Sequence, residues 1–232
     1  DVVGSASLLS EVECIQIFDE VLSCLKLPGF SIKMNNRKIL SGIAEISGAD
    51  DYLVTIVTAI DKLDKIGEKG VLDELKQKLV PDSAINLLKP LLSFNGTNEE
   101  KMKLMEDFLE DSEIGMEGIQ ELQKVLGHVG KLGLQRGRLE FDITLARGLN
   151  YYTGAIFEVA ADDVKMGSIC GGGRYDDLTA QFGLKDVSGI GISFGADRIF
   201  DVLNELDLFP SSTESNISYL LLNFGGEDME SS

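Results

Sequence analysis

Histidine, cysteine and basic charge are all scarce in this chain, and each scarcity removes a class of chemistry. Among 232 residues there is one histidine, His128. A Ser/His/Asp triad would have to use it, and no G-x-S-x-G elbow accompanies it. His128 falls in a helix-rich region and reads as a surface or core residue. Three cysteines, Cys14, Cys24 and Cys170, are odd in number and widely spaced. That pattern is neither a metal cluster nor a disulfide framework. Cys14 and Cys24 share one helix-like segment and read as small buried thiols, which suits a reducing, cytoplasmic setting. Lys and Arg number 21 against 39 Asp and Glu, a net charge of −18. An acidic surface repels phosphate, so a generic nucleic-acid binder is excluded; one specific RNA met by a local basic patch is not. No apolar run approaches the roughly 18 residues of a membrane helix, so no membrane partner is expected. No basic-then-apolar leader opens the chain. No internal repeat and no low-complexity tract is visible. The first residue is Asp1 rather than Met, and the expectation is a piece of something longer.

What is present is enough for a sizeable core: 44% of residues are hydrophobic. Ser10-Glu11-Val12-Glu13 reads as a capping box opening a helix through Val12, Ile15, Phe18, Val21, Leu22 and Leu25. Pro28-Gly29 stops it. Phe30 to Met34 alternates like a half-buried strand, Asn35-Asn36 marks a turn, and Arg37 to Ile46 reads as helix. Residues 50–133 read as helix only, with Leu53, Ile56, Val57, Ile60 and Leu63 on one face. Leu72, Leu75 and Leu79 line another, closed by Pro81. Thr97-Asn98-Glu99-Glu100 is a second capping box, and Gly115 and Gly118 punctuate the last helical stretch. From Arg138 the texture is strand: Leu139 to Ala146, Ala155 to Ala160, and Ser188 to Phe194, then a helix over Asp197 to Leu206. The fold class expected is α+β, an antiparallel sheet with helices on one side. Pro210 to Asn216 is a polar linker, and Ile217 to Phe224 a lone strand before an acidic tail, from which a further domain is expected.

Three segments carry the chemistry. In Ala146-Arg147-Gly148-Leu149-Asn150-Tyr151-Tyr152-Thr153-Gly154, a permanent cation sits beside glycine and two phenols. A guanidinium matches phosphate or carboxylate bidentately. The structural alternative is a buried Arg147 paired with Asp142 or Glu158. Tyr151 and Tyr152 are neighbours, so on a strand they face opposite ways. The second segment is Gly171-Gly172-Gly173-Arg174-Tyr175-Asp176. It lacks the spacing of a phosphate loop, and its glycines suit a tight turn; Arg174 is free to pair with Asp176 or Asp177. The third is Gly189-Ile190-Gly191-Ile192-Ser193-Phe194-Gly195-Ala196-Asp197-Arg198. Gly189, Gly191, Ser193 and Gly195 share one face, nearly bare backbone, a shelf for a planar ring. Arg198, in the first turn of the adjoining helix, can cover an aromatic base or meet an anion.

In this order the three segments resemble the C-terminal part of the catalytic domain of histidyl-tRNA synthetases, a class II family. Asn36-Arg37-Lys38-Ile39-Leu40 adds to the likeness. The resemblance implies part of the antiparallel class II sheet with a helical insertion. Its expected divisions are 1–49, the first part of the catalytic core; 50–133, the insertion; 134–210, the core with the histidine motifs and third motif; and 211–232, a linker and the start of a truncated anticodon-binding domain. It implies ATP-dependent activation of histidine and transfer to tRNA(His) in a cytoplasmic homodimer, with ATP as substrate and Mg2+ accompanying it. Arg147 would be the catalytic cation, contacting the α-phosphate and the histidine carboxylate. Asp1, Tyr151, Tyr152 and Tyr175 would bind histidine with it. Gly189, Gly191, Gly195 and Arg198 would hold ATP; no metal ligand is assigned in the protein. Cys170 would be a packing thiol. Asn150 stands where the family usually carries Asp. The family's first and second motifs lie outside this sequence, so the chain alone is expected to be inactive. The alternative is the synthetase-like regulatory subunit of ATP phosphoribosyltransferase, which binds histidine without catalysis. A synthetase-like RNA-sensing domain is a third reading. Retention of both Arg147 and Arg198 favours the synthetase.

Overall fold

Six strands form one sheet, in the order β1-β6-β5-β4-β2-β3, in a computed structural model that describes residues 1–146 and 151–210. The strands are β1 (Val2–Val3), β2 (Phe30–Asn36), β3 (Gly137–Phe141), β4 (Ala155–Ala161), β5 (Cys170–Arg174) and β6 (Gly189–Phe194). All neighbours pair antiparallel except β2 and β3, which run parallel. The exception has a cause: residues 37–136 separate the two strands, and such a long helical crossover can return the chain in the same direction, as no hairpin can.

The helices are α1 (Leu9–Cys24), α2 (Arg37–Ile46), α3 (Leu53–Ile60), α4 (Leu63–Gln77), α5 (Asp82–Leu92), α6 (Asn98–Phe108), α7 (Glu113–Leu132), α8 (Leu178–Gln181) and α9 (Ala196–Glu205). Helix α2 matches its sequence-expected span, and the Thr97 capping box opens α6 with both reciprocal hydrogen bonds. The Ser10 capping box does not form. Helix α1 starts at Leu9 without a side-chain cap, so Ser10 already lies inside the helix, where its hydroxyl donates to Ser5 Oγ at 3.5 Å. The expected turn at Asn35-Asn36 is instead the end of β2, where Asn36 accepts from the Lys38 amide and caps α2. Nor is β2 half-buried: both its faces are covered, apart from Lys33.

One face of the sheet packs on α1. The Phe18 ring meets Phe157 of β4 edge-on at 6.4 Å and Phe194 of β6 at 5.5 Å. Asp19 of α1 is buried and accepts the amides of Gln135, Arg136 and Gly137, which fixes the approach to β3. Helix α7 crosses α2 at very short range. A Cβ on Gly42 would lie 2.6 Å from the Gly115 Cα, and one on Gly118 would lie 2.9 Å from the Ile39 amide nitrogen. These glycines therefore admit a backbone, and Gly115 and Gly118 lie inside α7 rather than punctuate it. Helices α3, α4 and α5 pack in series beyond α2. The opposite face of the sheet, at β5 and β6, carries a cleft.

Candidate active site

The cleft is assembled on a floor stripped of side chains. Register fixes which residues share it: Glu158 of β4 opposes Gly171 of β5, which opposes Ser193 of β6, and Gly173 opposes Gly191. Directly opposed residues share a face, so this row faces the cleft while Phe157, Gly172 and Ile192 turn toward α1. The Gly171-Gly172-Gly173 run is thus the strand β5, not the tight turn expected from its composition.

Two phenols and a carboxylate occupy the space the glycines leave. A Cβ on Gly173 would lie 2.8 Å from the Tyr152 ring. On Gly189 it would collide with the Tyr175 ring, and on Gly191 with Asp1 Oδ1. The Tyr175 hydroxyl donates to Asp1 Oδ1 at 2.5 Å, which leaves Oδ2 to accept from a ligand. Burial, together with Cys14, Tyr151 and Tyr152 nearby, pushes the Tyr175 phenol above its ordinary value, so it stays a donor. Tyr151 and Tyr152 do not lie on a strand facing opposite ways. Their rings are 4.5 Å apart and tilted by 52°, with the hydroxyls 3.5 Å apart. The resulting cleft has a volume of about 530 Å³. Leu178, Phe182 and Leu184 give it an apolar wall that sequence reasoning missed. The only signal was Leu178, Phe182 and Leu184 in a largely polar stretch between β5 and β6.

Asp1, Tyr151, Tyr152, Tyr175 and Gly191 therefore converge on one cavity, with Gly189 under the Tyr175 ring. Gly195 and Arg198 do not line it. A Cβ on Gly195 would lie 2.8 Å from the Ile169 carbonyl, and the exposed Arg198 donates through Nη1 to the Ser168 carbonyl. The shelf expected along β6 is thus divided: Tyr175 and Asp1 cover its first half, and its second half runs toward Arg198. Arg147 lies outside the described residues, as do Gly148, Leu149 and Asn150. Of its two candidate structural partners, Asp142 is 3.1 Å from the Lys33 ammonium.

The expected partner of Arg174 was Asp176 or Asp177. Asp176 does pair with it, at 3.7 Å, but both Glu11 oxygens take its guanidinium more closely, at 2.5 and 2.7 Å. Burial works against the Arg174 charge, but the Glu11 hydrogen bonds and carboxylate more than offset it, and its pKa lies above the ordinary value. Cys14 and Cys170 are buried, whereas Cys24 is exposed, contrary to its reading as a buried thiol. Burial pushes the Cys170 thiol up to about 12, so it packs rather than attacks. His128 is exposed on α7. Among the described residues no group of three or more His, Cys, Asp or Glu could hold a metal ion, and no helix is long and apolar enough to cross a membrane.

A family model described as histidyl-tRNA synthetase matches residues 1–199. The histidine–tRNA ligase of Christiangramia forsetii is 54% identical over 229 residues, 98% of this chain and 50% of that protein. That of Flavobacterium johnsoniae is 55% identical over 229 residues, 98% of this chain and 48% of the relative. The chain spans about half the length of the curated relatives it matches. Among solved structures, the histidyl-tRNA synthetase of Nostoc sp. superimposes with a TM-score of 0.80 at 30% identity, covering 90% of this chain and 50% of that one. An ATP phosphoribosyltransferase regulatory subunit/histidyl-tRNA synthetase from Bacillus halodurans shares the fold, with a TM-score of 0.75 at 20% identity over 88% of this chain and 52% of that one.

Proposed function

From the premise that the chain belongs to the histidyl-tRNA synthetase family, we propose that it carries the histidine-recognition side of an enzyme that activates histidine with ATP and passes it to tRNA(His). One observation carries this reading: an acidic acceptor and three phenols converge on a glycine-floored cleft sized for a small planar ligand. An imidazole presents an N–H donor and a nitrogen acceptor. Asp1 Oδ2 accepts from the N–H, and Tyr175 orients that carboxylate through Oδ1. The Tyr152 hydroxyl serves the other nitrogen, Tyr151 lies beside it, and the apolar wall excludes water.

The reaction joins two anions. The histidine carboxylate attacks the α-phosphorus of ATP, pyrophosphate leaves, and negative charge grows on the phosphoryl oxygens. A fixed guanidinium between the reactants offsets their repulsion most in the transition state, and Arg147 is assigned that role. ATP enters as its magnesium complex, with adenine on the Ser193–Gly195 end of β6 and Arg198 over it. A cytoplasmic homodimer is the expected assembly of the whole protein. Retention of the guanidinium at Arg198 favours the synthetase over a regulatory subunit that binds histidine without ATP chemistry.

Calorimetry against three ligands tests the assignment. Histidine should bind, phenylalanine should not, and histidinol, which lacks the carboxylate, should bind more weakly. Arg147→Ala should abolish the difference between histidine and histidinol. Equal affinity for histidine and phenylalanine would refute the reading of Asp1 and Tyr152.

A further inference from the structure

The Arg174 guanidinium lies on the opposite face of the sheet from the cleft, and its hydrogen bonding is saturated. An arginine has five N–H donors in a fixed fork. Here Nε donates to Glu11 Oε1, and Nη2 to Glu11 Oε2 and to the Ser7 carbonyl at 3.3 Å. Nη1 donates to the Ser5 carbonyl at 3.1 Å and to Ser188 Oγ. Glu11 is fully buried and Arg174 nearly so. A buried ion pair contributes little net stability compared with apolar side chains of the same volume. What it does supply is geometry, and the segments it ties together share one property.

Each of them leads directly into the cleft. Ser5 and Ser7 come soon after Asp1 along the chain, and Ser188 precedes Gly189, on which the Tyr175 ring lies. Tyr175 is the next residue after Arg174, and its amide donates to the Gly189 carbonyl at 2.7 Å. Asp176 extends the network: its Oδ1 accepts from Ser188 Oγ, and its Oδ2 accepts from Thr153 Oγ1 at 2.6 Å. The Thr153 amide in turn donates to the Arg174 carbonyl at 2.9 Å, one residue beyond Tyr152. Three ligand-facing groups from distant parts of the sequence therefore refer to one buried cation.

We propose that Arg174, held by Glu11, is a positioning residue for the cleft: it touches no ligand but fixes Asp1, Tyr152 and Tyr175 relative to one another. The ligand, histidine, rests on the proposed function of the cleft; the positioning role is read from the network alone. A supporting shell of this kind is what holds site residues to productive geometry. Lysine cannot substitute, since an ammonium has three donors and no fork.

The test uses the full chain with ¹³C-labelled tyrosine rings, in wild type, Arg174→Lys and Thr153→Val. Only five tyrosines are present, and three of the four among the described residues face the cleft. Thr153→Val keeps the shape of the side chain and leaves the Arg174–Glu11 pair intact, so it remains informative if Arg174→Lys fails to fold. Both variants should shift the Tyr152 and Tyr175 ring resonances. Thr153→Val removes two hydrogen bonds, one donated to Asp176 Oδ2 and one accepted from the Asp176 amide, and should weaken histidine binding about tenfold or more. Ring resonances and histidine affinity that stay at wild-type values, whatever happens to stability, would overturn the positioning role. A wild-type chain that binds no histidine would instead sink the reading of the cleft, and the ring resonances would still decide the role of Arg174.

Discussion

Glycine serves two opposite ends in this molecule, at the α2–α7 crossing and on the floor of the cleft. At the crossing, the space above Gly42 and Gly118 is filled by the backbone of the other helix. At the cleft, the space above Gly189 and Gly191 is filled by side chains, Tyr175 and Asp1, while above Gly173 the Ala155 carbonyl comes first at 2.5 Å and the Tyr152 ring next at 2.8 Å. A backbone in a packed helix pair cannot retreat, whereas a ring or a carboxylate at an open cleft can. The same residue type is therefore a folding requirement in one region and, on the proposed function, a binding requirement in the other.

The largest expected effect breaks the helix side. Gly42→Leu should lower unfolding free energy by about 3 kcal/mol, because an added side chain meets the Gly115 Cα. Denaturant titration reads the loss, and whatever fraction stays folded should bind histidine as before. Next comes Gly191→Ala. Its Cβ displaces the Asp1 carboxylate, so it should cost about 2 kcal/mol of histidine binding, the value of one charge-assisted hydrogen bond, and well under that in stability. Calorimetry and a denaturation curve on the same variant separate the two. If Gly191→Ala destabilises as much as Gly42→Leu, the contrast between the regions fails.

A smaller effect concerns the thiols packed beneath the cleft. Burial pushes Cys14 up to about 11 and Cys170 up to about 12. Unfolded thiols release their protons near pH 8.5, roughly. Between those values the folded state binds more protons than the unfolded one, so stability is full below the lower value and falls as pH rises through the upper ones. Cys170→Ala should flatten that alkaline decline, measured as the denaturant midpoint against pH. A decline unchanged in both Cys14→Ala and Cys170→Ala would assign it to other groups.

Much of this organisation was legible in the sequence, and its failures have identifiable causes. Local chemistry read correctly wherever it decided the outcome alone: the span of α2, the Thr97 cap and strand β6 each arise from nearby residues. The Ser10 capping box failed because the helix already starts at Leu9, which places Ser10 inside it, and the Glu11–Arg174 pair, 163 positions apart, has no local pattern that reveals it. The triple glycine read as a turn because isolated glycines weaken strands. Neighbouring strands on both sides hold it in the sheet regardless. Tyr151 and Tyr152 were assigned the alternation of a strand they do not occupy. The residue types of the cleft were legible because their chemistry is specific. The network behind it was not, since Glu11, Thr153 and Ser188 are ordinary residues until the fold places them around one guanidinium.

The central claim is that Asp1 and the three phenols form a pocket for the imidazole of histidine. Calorimetric titration of histidine into wild type and Asp1→Ala tests it most directly. The account predicts measurable binding in the wild type and a loss in the variant that histidine cannot recover at tenfold higher concentration, about 1.4 kcal/mol or more. Equal binding by both proteins, or no binding by the wild type, would contradict it.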